Sequence, residues 1–140
     1  MKARTVIQVQ SSFAQVAAIA DTAAALFYTH LFERDPSLRT LFRGDMKAQG
    51  AKLIQMIAVA VNRLGNPETL VPVLENMGRR HADYGVVDAH YDTVGAALID
   101  TLADGLGDAF TADVRSAWIE VYGFIAATMK DAANAAALAA

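Results

Sequence analysis

One histidine stands where a helix would be expected to place an apolar side chain. Leu70, Val73, Leu74, Met77 and His81 are spaced so that all five fall on one face of a helix. Four of them predict a buried face, and the fifth brings an imidazole, a nitrogen ligand for metals, into the same apolar space. Taken alone, this pattern favours a core histidine bonded to the backbone over a metal ligand.

Two polar residues earlier in the chain have similarly apolar neighbours. Tyr28 lies between Phe27 and Leu31 in an apolar run, and Gln49 begins the inner face of a helix that continues through Leu53. Each has a simple structural interpretation, as a core aromatic ring or a first-turn surface residue. Together with the imidazole they predict one buried chamber, with a nitrogen ligand on one wall and hydrogen-bond donors on the other.

The elements that position these residues are all predicted to be helices. We expect helices to begin at or beside residues that favour a helix start, namely Thr5, Asp21, Asp45, Asp88 and Thr111. The helix with Tyr28 should end at Asp35, because Pro36 disfavours helix in the residue before it, and residues 36–42 should form a tight turn. No segment alternates with the two-residue period of a strand. The sequence therefore predicts one all-α domain over residues 1–140, with about seven helices and an Ala-rich tail over 132–140.

Composition narrows the classes of function. The chain has 140 residues, of which 54% are apolar, above the usual share of about 45–50%. Its net charge of −3 without a basic stripe argues against binding to nucleic acid or to an anionic membrane. It has no cysteine, which excludes disulfides and thiolate ligands. No signal peptide or membrane span is visible, so we expect a cytoplasmic protein.

Small residues inside the predicted helices need an explanation. Gly50, Ala58, Gly95 and Ala96 all fall in helix interiors, where glycine costs about 1 kcal/mol relative to alanine. Close helix crossing, or a flat ligand against the backbone, would account for them.

The order of these residues resembles that of a globin. The resemblance is carried by Phe27-Tyr28, Pro36, Leu41-Phe42, Gln49-x-x-x-Leu53, Gly78-Arg79-Arg80-His81, Tyr84-Gly85-Val86 and His90-Tyr91-x-x-Val94-Gly95. The segment 106–123 is similar to the corresponding part of neuroglobin and of bacterial single-domain haemoglobins. The resemblance covers nearly the whole chain and implies the globin fold, a three-over-three helical sandwich around a haem pocket.

The resemblance also implies the cofactor and the residues that contact it. The cofactor would be haem b, held without a covalent link, with His81 as the proximal iron ligand, Phe42 packed on the haem, and Tyr28, Gln49 and Leu53 on the distal side. Four further residues would lie against the porphyrin, namely Val86, Tyr91, Val94 and Leu98. Four others are candidates to reach the haem propionates, with a solvated surface role as the alternative: Lys52, Arg79, Arg80 and Tyr84.

Such a haem iron leaves its sixth position open for O2, CO or NO. Tyr28 and Gln49 can donate hydrogen bonds to oxygen there, each worth roughly 1.5–3 kcal/mol to a charged acceptor. We therefore expect reversible oxygen binding with slow release, for storage, delivery or scavenging. Because glutamine is a poor iron ligand, the sixth position should be open or water-bound. We expect the second nitrogen of His81 to donate to the carbonyl of Met77.

One expected acidic residue is missing. Flavohaemoglobins carry a glutamate in the last helix that, with the tyrosine matching Tyr91, charges the proximal histidine. That position falls near Ala133, and no glutamate follows Glu120, so the imidazole should be closer to neutral and peroxidase-like chemistry less favoured. The chain stops at residue 140, so we expect no flavin reductase domain. The alternative function, nitric oxide dioxygenation, would then need a separate reductase.

Three other residues are expected to lie outside the chamber. His30 is two positions from Tyr28 and should face away from it, in a surface or inter-helix role. His90 falls at a helix start and should be exposed. Trp118 should be core or an inter-helix contact.

Overall fold

The chain folds into α-helices joined by short turns. The computed structural model describes residues 1–42 and 44–139. These form six α-helices and two 3-10 segments: α1 Ala3–Ala17, α2 Ala20–Arg34, α3 Met46–Asn62, α4 Pro67–Asp83, α5 Asp88–Leu106, α6 Ala112–Ala139, and the 3-10 segments Pro36–Leu41 and Gly107–Ala109. No strand occurs in these described ranges, so the prediction of an all-α fold is confirmed. Within them, no helix is both long and apolar enough to cross a membrane.

Several helix ends follow signals in the local sequence. The Asp45 side chain accepts a hydrogen bond of 2.9 Å from the backbone N–H of Lys47, and the Thr111 hydroxyl accepts one of 3.2 Å from Val114. Both caps were predicted and are confirmed. The Ala-rich segment that begins at residue 132 continues α6 as far as Ala139.

The predicted cap at Thr5 is wrong. The first helix begins two residues earlier, at Ala3, and Thr5 lies inside it and is buried. Its hydroxyl donates to a carboxylate oxygen of Glu120 at 3.2 Å. This threonine therefore joins α1 to α6 rather than ending a helix.

The helices pack against one another around two clusters of buried apolar side chains. The first helix packs on α3 and α6, the second on α3 and α5, and the fourth chiefly on α6. Trp118 is buried, as predicted, and its indole N–H donates to the Ser12 hydroxyl at 2.8 Å. The largest side chains that are almost fully buried come from all six of these helices: Trp118, Leu31, Leu70, Leu74, Leu102, Val9, Val61 and Val121.

Two glycines mark close helix crossings. A Cβ at Gly78 would overlap the backbone carbonyl of Met129, so α4 and α6 cross backbone against backbone. At Gly50 an added Cβ would lie 2.9 Å from the methyl group of Ala24, where α3 crosses α2. Close helix crossing, one of the two explanations for the small residues in helix interiors, is confirmed at Gly50, whereas no sequence pattern selected Gly78.

Candidate functional site

A largely apolar cavity of about 420 Å³ lies among α2 to α6. It is lined by all but two of the residues that the sequence assigned to the site: Tyr28, Phe42, Gln49, Lys52, Leu53, His81, Tyr84, Val86, Tyr91, Val94 and Leu98. The two exceptions, Arg79 and Arg80, are exposed and do not line the cavity. Residues far apart in the chain are therefore brought together around one space.

The His81 ring is held by a hydrogen bond within its own helix. Its Nδ1 lies 2.7 Å from the carbonyl oxygen of Met77, one turn earlier in α4, as predicted. A carbonyl can only accept, so Nδ1 carries the proton and donates. Nε2 consequently keeps its lone pair and is the ring nitrogen able to bind a metal.

A glycine turn brings the next residue to the cavity after α4 ends. Gly85 has φ of 95°, a conformation that L side chains rarely adopt. The backbone N–H of Val86 then donates to the carbonyl of His81 at 3.0 Å. Val86 lines the cavity as a result.

The opposite side of the cavity is built on a cluster of aromatic rings. The Tyr28 ring centroid lies 5.5 Å from that of Phe27, 6.0 Å from that of Phe32 and 5.3 Å from that of Phe42. Phe42 reaches this cluster from the end of the 3-10 turn over residues 36–41. Three ring contacts in edge or stacked geometry therefore fix the position of the tyrosine.

The Tyr28 hydroxyl on this side is suited to donating a hydrogen bond to a ligand. The Tyr28 hydroxyl has no hydrogen-bond partner among the residues that the structure describes. Burial raises the pKa of Tyr28 above its ordinary value of 10.0, so the hydroxyl keeps its proton at neutral pH. Gln49 is half-buried and lines the cavity, one turn of α3 before Leu53.

The cavity reaches solvent at one rim. Lys52 on α3 and Tyr84 after α4 are both exposed, and both also line the cavity. The rim therefore offers an ammonium and a phenol hydroxyl to any polar group at the edge of a bound molecule. Arg79 and Arg80 are exposed on α4 but lie outside this lining.

The wall behind His81 carries tyrosines rather than a carboxylate. The Tyr122 hydroxyl donates to the backbone carbonyl of Tyr91 at 2.6 Å. Burial, followed by the charges of Tyr91 and Asp92, raises the pKa of Tyr122 well above its usual range. Burial, then Asp88, raises the pKa of Tyr91. The cavity lining that α6 supplies contains no acidic side chain: Trp118, Val121, Tyr122, Ile125, Ala126 and Met129.

The expectation that His90 is exposed is wrong. It is half-buried and lines the cavity, and its Nδ1 accepts a hydrogen bond of 3.1 Å from the backbone N–H of Val87. A signal for this placement was present, since His90, Val94 and Leu98 follow at four-residue intervals on one face of α5. His30, by contrast, faces away as predicted, with its Nε2 2.6 Å from a carboxylate oxygen of Asp104.

The metal-ligating side chains present limit which kind of metal group the cavity can bind. Within the described residues, no three histidine, cysteine or acidic side chains come together as a metal site. A metal bound to His81 must therefore bring most of its ligands with it. The cavity volume falls in the usual range of roughly 300–1,000 Å³ for ligand pockets, and its lining is apolar with a polar rim. These features fit a haem with one protein nitrogen ligand.

Comparison with known proteins identifies the family. The globin family profile matches residues 25–129, so the chain belongs to the globin family. A flavohemoprotein of Rhodopirellula baltica is 32% identical over 114 residues, which cover 79% of this chain but only 28% of that protein. A neuroglobin of Danio rerio is 32% identical over 118 residues, 74% of each chain. The chain thus spans less than a third of the length of its flavohemoprotein relatives.

A solved structure supports the fold. The crystal structure of a hexacoordinated heme protein from an anhydrobiotic tardigrade at pH 4 superposes with a TM-score of 0.87, at 17% identity over 96% of each chain. The predicted globin fold, a three-over-three sandwich, is therefore confirmed.

Proposed function

We propose that this globin binds oxygen reversibly through a haem b held by His81, with Tyr28 and Gln49 as the distal residues. One arrangement carries the proposal. An imidazole with its Nδ1 tied to the backbone shares an apolar cavity with a neutral tyrosine hydroxyl that has no partner in the described chain. When bound, the haem would supply an iron able to take up a diatomic gas.

The apolar lining serves to hold the ring system and to exclude water. Phe42 packs on Tyr28, while Leu53 lies one turn beyond Gln49, so both close the distal side. The porphyrin would be packed by Val86, Tyr91, Val94 and Leu98. Lys52 and Tyr84 would meet its propionates at the rim. Arg80 remains a candidate for the same role only as a surface charge, since it lies outside the lining.

The distal donors serve to slow the release of the gas. The Tyr28 hydroxyl and the Gln49 amide can each donate to an oxygen atom that carries partial negative charge, worth roughly 1.5–3 kcal/mol. The pKa of Tyr28 is raised by burial, so this donor persists at neutral pH. Because an amide is a poor ligand for iron, Gln49 leaves the gas position open or occupied by water.

The experiment is to add haem to the purified protein and record visible spectra of the ferrous form under nitrogen, oxygen and carbon monoxide. We expect a Soret band, a distinct spectrum with each gas, and recovery of the nitrogen spectrum after oxygen is removed. A His30→Ala variant, in which a histidine outside the cavity is changed, should behave like the wild type. Absence of a Soret band, or a low-spin ferrous spectrum without added gas, would contradict the proposal.

The alternative function is nitric oxide dioxygenation with electrons from a separate reductase. The likeness to flavohemoproteins, at 32% identity over 79% of this chain, favours it. Because oxygen-loaded globins in general react once with nitric oxide, a single reaction is not diagnostic. Sustained consumption of nitric oxide with a cellular reductase would support the enzyme, and a single stoichiometric reaction would support oxygen binding alone.

A further inference from the structure

We propose that His90 is a carboxylate-binding residue of the cavity, whose Nε2–H donates to a propionate of the haem. The inference rests on the proposed function, because it needs the haem to be present. It adds a contact at a residue that the sequence pattern placed at the surface.

The tautomer of His90 follows from its partner. The backbone N–H of Val87 can only donate, and it lies 3.1 Å from Nδ1 of His90. Nδ1 must therefore be the unprotonated, accepting nitrogen. In the neutral ring the proton then resides on Nε2, on the far edge of the imidazole.

The two histidines of the cavity are thus fixed in opposite states. The Nδ1 atom of His81 donates to a carbonyl, which leaves a lone pair on Nε2 for a metal. His90 accepts at Nδ1, which leaves an N–H on Nε2. Only the first can serve as an iron ligand without a change of tautomer, and only the second can donate a hydrogen bond through Nε2.

The surroundings of His90 indicate which acceptor its Nε2–H would bond to. His90 is half-buried, and the residues that follow it on the same face of α5, Val94 and Leu98, are apolar. A haem offers acceptors at its edge only through its two carboxylates, and an N–H bonded to a carboxylate is stronger than a neutral pair.

Nearby acidic side chains do not take this place. Asp88 and Asp92 are each two residues from His90, which puts them on other faces of α5, and both are exposed. A carboxylate oxygen of Asp88 is 3.5 Å from the side-chain amide of Asn134. Neither carboxylate forms a hydrogen bond or ion pair with His90 in the described structure, and His90 lines the cavity, so its Nε2–H is available to an acceptor bound there.

The test compares two haems in three proteins: the wild type, His90→Leu and His90→Gln. One haem has free propionates, and the other is the dimethyl ester, which has none. The measurement is the rate of haem loss to an excess of a haem-scavenging protein. His30→Leu serves as a control histidine outside the cavity.

With the free-acid haem, we expect His90→Leu to lose haem roughly five- to tenfold faster than the wild type, the effect of about one lost hydrogen bond. Glutamine can accept from Val87 and also donate, so His90→Gln should stay within about twofold of the wild type. With the ester, all proteins should lose haem at similar rates.

An equal acceleration with both haems would assign His90 a purely structural role and overturn the proposal. No acceleration with the free-acid haem would overturn it as well. A wild type that takes up no haem contradicts the proposed function itself, before any variant is compared. Nitrogen-15 NMR of the wild type needs no variant: an Nε2–H signal should become protected from exchange on loading with free-acid haem and not with the ester.

Discussion

The two walls of the cavity hold their polar groups in different ways. On the side formed by α4 and α5, backbone hydrogen bonds fix the rings of His81 and His90 and decide which nitrogen of each is protonated. On the side formed by α2 and α3, three aromatic rings fix Tyr28, and its hydroxyl has no partner in the described chain. On the first side, hydrogen bonds determine which ring nitrogen of each histidine is available to a ligand. On the second side, ring packing fixes the position of Tyr28 and leaves its hydroxyl available to a ligand.

The two sides of the cavity also differ in how closely their helices cross neighbouring helices. At Gly78 the helix that carries His81 meets the backbone of α6, which cannot yield. At Gly50 the helix that carries Gln49 meets only the methyl group of Ala24. The side that presents the metal ligand is therefore more tightly constrained than the side that presents the gas donors.

The largest expected effect is from breaking the tighter crossing. Gly78→Ala should lower the free energy of unfolding by about 3 kcal/mol or more, since overpacking against backbone leaves little room to relax. Gly50→Ala should lower it by about 1 kcal/mol or less, because the gain in helix propensity of about 1 kcal/mol offsets the contact. Urea denaturation of the three proteins measures both values. Equal decreases in the free energy of unfolding of the two variants would show that the two crossings are equally rigid.

Next in size is the effect of removing the distal hydroxyl. Tyr28→Phe keeps the ring contacts and should speed oxygen release by roughly tenfold or more, corresponding to about 1.4 kcal/mol. Tyr84→Phe removes a hydroxyl at the exposed rim and should change the release rate less than about twofold. Stopped-flow mixing of the oxygen-loaded proteins with a scavenger measures release. An unchanged rate in Tyr28→Phe would rule out this hydroxyl as the main donor.

A smaller effect is expected from the hydroxyl behind the metal ligand. Tyr122→Phe removes the 2.6 Å hydrogen bond to the Tyr91 carbonyl and should lower the free energy of unfolding by about 1 kcal/mol at neutral pH. The oxygen release rate should hardly change, because Tyr122 packs against the apolar cluster that contains Tyr91, whereas Tyr28 belongs to the other cluster. A large change in release would show that the two walls are coupled.

Alkaline pH should reduce the difference in the free energy of unfolding between the wild type and Tyr122→Phe. Burial raises the pKa of Tyr122 in the folded state, so its stabilising effect is complete below about pH 10, where unfolded tyrosine is neutral. Above that pH the unfolded state ionises first, and stability falls by up to about 1.4 kcal/mol per pH unit for this group. Tyr122→Phe should lose stability less steeply between about pH 10 and pH 12. Parallel curves from urea denaturation would contradict this.

Much of the site could be predicted because its determinants are local or periodic. Pro36 and Asp45 mark helix ends through neighbouring residues, and helical spacing alone placed His81 on an apolar face. The two residues that were misplaced differ in cause. Thr5 bonds to Glu120 on α6, a tertiary partner that cannot be inferred from the periodicity of one helix. His90 had a local signal in its four-residue spacing with Val94 and Leu98, and its bond to Val87 lies within the start of α5.

Gly78 is another residue whose role depends on a tertiary contact, in this case close packing between two helices. Within α4 it is merely a poor helix former, and its importance appears only where α6 crosses it at Met129. The resemblance to globins supplied long-range information that spacing could not, since it linked Tyr28 and Gln49 to His81 before any contact was known.

The most direct test of the central claim is the visible spectrum of haem-loaded His81→Gly, with and without added imidazole, beside His90→Gln. If His81 holds the iron, His81→Gly should lose the wild-type ferrous and carbon monoxide spectra and regain them with imidazole. His90→Gln should match the wild type throughout. A His81→Gly spectrum identical to that of the wild type without imidazole would contradict the account.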